Sequence, residues 1–151
     1  MDTPPPITIS TDPARLQLDV IHGFLTRSYW ARGVARETVE KSLRHSLCFG
    51  AYAGDEQVGL ARVITDYTTF AYLCDVFVLE PYRGRGISKL LLQALLNHPE
   101  LAPLRRLGLI TQDAQGLYAQ FGFKALANPE RHMERRGPLW RPSEPPGSVP
   151  G

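Results

Sequence analysis

The chain has 151 residues, enough for one domain with a proper core, and 43% of them are hydrophobic, as in ordinary soluble globular proteins. A formal net charge of +2 is too small to mark a nucleic-acid binder, and no apolar run is long enough to span a membrane. The opening MDTPPPITIS is neither a secretory nor a transit signal, and Cys48 and Cys74, both inside apolar runs, read as reduced core thiols of a cytoplasmic protein.

PPPITIS predicts a short first strand. TDPARLQLDVIHGFLTRSYW then predicts a helix capped by Asp12 or Thr11, with Pro13 in its first turn. Leu16, Val20, Ile21, Phe24 and Leu25 form its apolar face. ARETVEKSLRHS predicts a second, more polar helix that turns Val39 and Leu43 inward. Two β-rich runs flank Gly54-Asp55 and read as a hairpin. Asp66 to Thr69 forms a second turn, and FAYLCDVFVL reads as a central strand covered on both faces.

After Gly86 a helix places Ile87, Leu90, Leu91, Ala94 and Leu95 on one side and ends before Pro99. RRLGLIT is the next strand. DAQGLYAQFG is a short helix, with Asp113 as its expected N-cap and Gly122 as its stop. FKAL and HMERR are expected final strands. A β-meander followed by strand–helix–strand–helix gives an α/β (α+β) class with a mixed sheet. The domain is expected over residues 1–136, with a tail over 137–151 too rich in Pro and Gly for regular structure, mobile or packed on a neighbour.

The chemistry concentrates in FVLEPYRGRGISKLLLQALL, Phe77 to Leu96. An apolar strand runs into a basic glycine turn, and a helix opens with Arg83, Arg85 and Lys89 at its positive end. Cations there cost about 0.3–1 kcal/mol each unless an anion sits among them. A Walker A loop is absent, and a Rossmann fingerprint fails at Lys89, where the third glycine should stand. Gly84 and Gly86 either expose successive N–H groups to a polyanion, aided by Arg83 and Arg85, or merely turn the chain beneath solvated arginines.

At these residues the sequence resembles the GNAT superfamily of N-acetyltransferases. The acetyl-CoA signature of that family, Arg/Gln-x-x-Gly-x-Gly/Ala, reads here as Arg83-Gly84-Arg85-Gly86-Ile87-Ser88, with Ser88 in place of Gly or Ala. A second match follows in Ala114-Gln115-Gly116-Leu117-Tyr118 and Phe121-Gly122-Phe123, while Thr111 stands where many members have Asn. The order of elements fits from about Ile7 to Arg136. The resemblance implies a twisted mixed sheet flanked by helices, whose two central parallel strands splay to admit the pantetheine arm of acetyl-CoA. It implies that backbone N–H groups of Arg83, Gly84, Arg85, Gly86, Ile87, Ser88 and Lys89 hold the pyrophosphate. Phe77 and Val78 would offer backbone to the pantetheine and to the thioester oxygen, and Tyr118 would protonate the departing thiolate.

On the acceptor side, Asp75 is the first candidate base, since alternation places it with Leu73 and Phe77 on an apolar face. It equally well pairs with an arginine such as Arg62 on a neighbouring strand. Glu80 reads as solvated or locally ion-paired, His45 as a surface histidine, Asp66 as a turn former, and His22, His98 and His132 show no metal-ligand spacing, so no metal is expected. Tyr29, Trp30 and Arg32 lie in the segment that in this family often covers the acceptor pocket, with Trp30 read as a packing residue. Neither cysteine is marked as an activated nucleophile, so direct attack by a primary amine is expected. The contrasting reading is an acyl-CoA-binding regulatory module without turnover. Neither nucleic acid nor membrane is an expected partner; a homodimer involving Trp140 is compatible with the resemblance.

Overall fold

The structure, a computed structural model, describes residues 3–142. The described residues form a five-stranded sheet in the order β1-β2-β3-β4-β5: Ile7–Ser10, Leu47–Ala53, Glu56–Thr65, Phe70–Val78 and Arg106–Leu109. The first four strands pair antiparallel, while β4 and β5 run parallel. Parallel neighbours need a crossover, and helix α3, Ile87–Leu96, provides it. Helices α1, Leu18–Leu25, and α2, Arg36–Arg44, lie between β1 and β2 in sequence, and α4, Gln115–Ala119, follows β5. This is the expected α/β class with a mixed sheet and flanking helices.

Strand alternation makes two cores, one on each face. Phe49, Ala51, Val63 and Leu73 pack with Ile87, Leu91, Leu92 and Leu95 of α3. On the other face Cys48, Leu60 and Phe77 pack with Ile21 and Leu25 of α1 and Val39 of α2. The Asp66 turn is built as expected: its Oδ1 accepts from the N–H groups of Thr68 at 2.9 Å and Thr69 at 2.7 Å. The Thr69 hydroxyl bond, followed by these backbone donors, holds the Asp66 carboxyl well below the usual carboxylate range.

Strand β4 carries an irregularity that determines the site. Leu60 pairs with Phe77 and Arg62 with Cys74, so two steps along β3 match three along β4. The extra residue lies between Cys74 and Phe77, where Asp75 has φ +52°. A bulge reverses the inward and outward assignment beyond it. Leu73 therefore faces the α3 core, and Phe77 faces the α1–α2 core. The expectation that Leu73, Asp75 and Phe77 share one face fails for this reason.

Four local expectations need correction. The long first helix is split. Asp12 caps a short 3-10 turn, Pro13–Arg15, and the chain is extended at Leu16 and Gln17 before α1 starts. Gln17 is held by β3 instead: its N–H donates to Gln57 Oε1 at 2.8 Å and its Oε1 accepts from the Gln57 N–H at 3.1 Å. In α3, Leu92 is buried and Leu90 is exposed. The N-cap of α4 is Ala114, not Asp113; the Ala114 N–H is satisfied by Thr111 Oγ1 at 3.0 Å. Gly122, at φ +89°, stops that helix as expected. FKAL and HMERR form no strand; the segment contains only the 3-10 turn Pro129–Arg131, and HMERR is exposed throughout. HMERR offers only Met133 as an apolar side chain, so it has no face to bury. Of the expected tail, residues 143–151 lie outside the described residues. Among the described residues, no helix is long and apolar enough to cross a membrane.

Candidate active site

Strands β4 and β5 are registered from Phe70 with Arg106 to Leu73 with Leu109, and no further. Beyond Leu73, β4 continues to Val78 with its β5-side edge unpaired, so the parallel pair parts into a cleft of about 1140 Å³. Its walls come from β4 residues Tyr72 to Val78, from the segment after β5 and α4, and from the α1–α2 connection.

The glycine turn closes one end. Gly84 and Gly86 have φ +80° and +76°, a region that costs other L-residues about 1–2 kcal/mol. A Cβ at either position would meet nothing within 4 Å, so the turn borders open space. Gly86 is the N-cap of α3 and has no side-chain cap; the first helical bond runs from the Leu90 N–H to the Gly86 carbonyl. The N–H groups of Ile87, Ser88 and Lys89 are thus helix donors without an intrahelical acceptor. Together with the positive helix end they suit a phosphate-bearing ligand. A side recess of about 290 Å³ is lined by Val78, Arg83, Gly84, Gly86, Ile87, Ser88 and Lys89. The basic side chains have local anchors: Arg83 Nε donates to the Val78 carbonyl at 3.1 Å, and the Arg85 guanidinium lies 5.3 Å from the Tyr82 ring centre.

Of the two strand residues expected to offer backbone, only Val78 faces the gap. The Leu79 N–H donates to the Val58 carbonyl at 2.8 Å, so alternation turns the Val78 peptide groups away from β3. The Phe77 carbonyl points at β3, where a Cβ on Gly59 would meet it at 2.9 Å. The Phe77 contribution is its ring, stacked on Phe24 at 4.2 Å and 8°.

Tyr118, on α4, is 9% exposed and lines the cleft, with its ring edge-on to Phe123 at 5.8 Å. Burial first, then the neighbouring Tyr29 and Asp113, pushes its hydroxyl up to about 12. Tyr29 reaches across the cleft from the α1–α2 connection to Asp113 and the Gln112 backbone; burial and Asp113 raise its hydroxyl as well. Burial pushes Cys74 up to about 12 and Cys48 to about 11, which leaves both as protonated, weakly nucleophilic thiols.

Asp75 is paired. Its Oδ2 accepts from Arg62 Nε at 2.8 Å and its Oδ1 from Trp30 Nε1 at 2.8 Å. The Arg62 pairing anticipated from sequence is therefore present, and the indole is a partner that sequence reasoning did not find. A single tryptophan in a loop gives no signal for a carboxylate 45 residues away. The other candidates are placed elsewhere: Glu80 is exposed at the cleft rim, His45 caps the C-terminus of α2, His22 bonds the Val34 carbonyl at 3.0 Å, and His98 packs edge-on to Phe49. Among the described residues, no three His, Cys, Asp or Glu side chains are grouped to hold a metal.

Comparisons with known proteins identify the family. The model of the acetyltransferase (GNAT) family matches residues 18–123. A Gibberella zeae protein described as a candidate acetyltransferase is 36% identical, over 74% of this chain and 75% of its own. A solved structure from Xanthomonas campestris pv. campestris, described as a candidate acetyltransferase of the GNAT family, is 46% identical, with a TM-score of 0.86 over 91% of this chain and 97% of its own. A GNAT family acetyltransferase from Elizabethkingia anophelis, solved with acetyl-CoA bound, shares the fold at 18% identity, with a TM-score of 0.60 over 78% of this chain and 76% of its own. The chain belongs to the GNAT acetyltransferase family and is an acyltransferase; the family uses acetyl-CoA as its acetyl donor.

Proposed function

We propose that the protein transfers the acetyl group of acetyl-CoA to a primary amine by direct attack. The observation that carries this reading is that the recess at the uncapped Gly86 turn adjoins the cleft, the two sharing Val78, Arg83, Ser88 and Leu117, and that the cleft leads on to Tyr118 and Trp30. Of the expected donors from Arg83 to Lys89, the Arg83 N–H is taken by the Glu80 carbonyl at 3.1 Å; those of Ile87, Ser88 and Lys89 would hold the pyrophosphate, with the arginines of the turn nearby. The Val78 N–H, on the unpaired strand edge, would donate to the thioester carbonyl, whose oxygen gains charge as the amine adds. The Tyr118 hydroxyl would donate to the sulfur as it leaves. High thiol pKa values at Cys48 and Cys74 support attack on the donor itself rather than through an acetylated cysteine. Both Asp75 oxygens are engaged, so we assign the amine proton to water in the cleft rather than to that carboxylate.

A thiol-release screen with acetyl-CoA against amino acids, polyamines, arylamines and peptides tests this. The expected result is amine-dependent release, with acetylated amine detected by mass spectrometry. Coenzyme A that raises the melting temperature, with no release for any amine, would instead identify a binding module.

A further inference from the structure

The Asp75 network lies directly behind the acceptor side of the cleft, and the chemistry above gives it no task. The side chains of Arg62 and Asp75 are 16% and 12% exposed. The network extends from β4 to β3 and on to α2: Arg62 Nη1 donates to Ser46 Oγ at 3.0 Å, and Ser46 Oγ donates to the Ser42 carbonyl at 2.7 Å. Balancing Arg62 needs only one Asp75 oxygen. The other is aimed at the indole N–H of Trp30, a cleft-lining ring on the α1–α2 connection.

Trp30 in turn organises the wall. It meets Tyr29 edge-on at 4.9 Å and 79°, and Phe24 at 6.1 Å and 45°. Phe24 stacks on Phe77, beside the strand edge at Val78. A continuous row of four rings thus runs from the acceptor side to the donor strand, and the bond to Asp75 fixes its second member, Trp30. The backbone of Asp75 is at φ +52°, unusual outside glycine but tolerated by Asp. Strain of this kind persists where surrounding structure holds it, and it clusters at functional sites.

We propose that Asp75 is a positioning residue for acceptor binding: held by Arg62 at the β4 bulge, it orients Trp30 and thereby shapes the amine pocket. This rests on the acetyltransferase reading, but the orientation of Trp30 can be measured without turnover. Trp30→Phe keeps a ring and leaves the Asp75–Arg62 pair intact, so this variant should fold. Its acceptor KM should rise about tenfold, in the range of a lost hydrogen bond to a charged group, while kcat and coenzyme A affinity stay within about twofold. Asp75→Asn, made in a Trp140→Phe background so that Trp30 is the sole tryptophan, should raise acceptor KM and make Trp30 emission more readily quenched by acrylamide.

An unchanged KM in Trp30→Phe for every amine turned over would overturn the proposal. So would an Asp75→Asn deficit confined to kcat that shrinks as pH rises, which would mark a proton acceptor. Should no amine support turnover in the parent protein, the acetyltransferase reading fails, and quenching still decides the positioning: unchanged accessibility of Trp30 in Asp75→Asn refutes it. Should Asp75→Asn not fold, the KM and kcat of Trp30→Phe decide alone.

Discussion

Tyr118→Phe removes one oxygen and leaves the ring with its contact to Phe123. The size of the effect follows from where the hydroxyl titrates. An ordinary thiol has a pKa of about 8.5, and the Tyr118 hydroxyl is pushed up to about 12 by burial, with Tyr29 and Asp113 adding to it. Complete proton transfer from tyrosine to a thiolate would therefore run uphill by roughly 5 kcal/mol, at 1.36 kcal/mol per pKa unit. The hydroxyl is better suited to donate a hydrogen bond to the sulfur as charge develops than to surrender its proton. A hydrogen bond to a charged group is worth about 1.5–3 kcal/mol, so turnover in Tyr118→Phe should fall roughly 10- to 150-fold.

The pH dependence of this loss has a definite sign. The folded-state pKa is raised, so the hydroxyl stays protonated below the ordinary tyrosine value. Whatever stability that protonation contributes is intact there and is lost only as pH rises through about 12. The deficit in Tyr118→Phe should therefore be constant from about pH 6 to pH 10, the range below ordinary tyrosine ionisation. Steady-state thiol release at saturating donor and acceptor, across that range, measures it. Full activity in the variant would refute the role. A parent activity that declines near pH 9 through a group missing in the variant would refute the raised pKa.

Two further outcomes are expected. Gly86→Asp should abolish the rise in melting temperature produced by coenzyme A, because a carboxylate would face phosphate where the backbone has φ +76°; calorimetry showing unchanged affinity in the folded variant would displace the phosphate site. Cys74, half-buried on the cleft wall and raised to about 12, should resist iodoacetamide at pH 8 in the folded protein and react once it is unfolded; fast native alkylation, read by intact mass, would contradict the raised pKa.

The glycine turn of the proposed donor half was legible in sequence because its backbone requirement is local. Gly84 and Gly86 are glycines because of their backbone angles, and such a requirement shows in a short motif. Gly122 likewise announced the end of α4, and the turn at 66–69 was readable from Asp66, a turn former whose carboxylate accepts from the N–H groups of Thr68 and Thr69. The failures are non-local. Gln17 leaves the helix that its neighbours favour because Gln57, 40 residues away, offers a reciprocal pair of hydrogen bonds. The expected final strands do not form, because nothing in HMERR supplies a buried face.

The acceptor half was hidden for a different reason. A strand read at period two carries its face assignment forward from residue to residue, and one inserted residue reverses everything beyond it. FAYLCDVFVL contains no glycine or proline to announce such an insertion. The bulge is held instead by Arg62 on the neighbouring strand, whose pairing was foreseeable, and by Trp30 from a loop 45 residues away, which was not. The same insertion that defeats the alternation places Phe77 on the α1–α2 face, against Phe24, and leaves the Val78 side chain in the α3 core with its backbone N–H toward the gap. Without the extra residue, the side chains on one side of it would have to exchange faces. The row of rings and the unpaired strand edge could not then both border one cleft. The departure from regular pairing at Asp75 thus joins the acceptor wall to the donor strand.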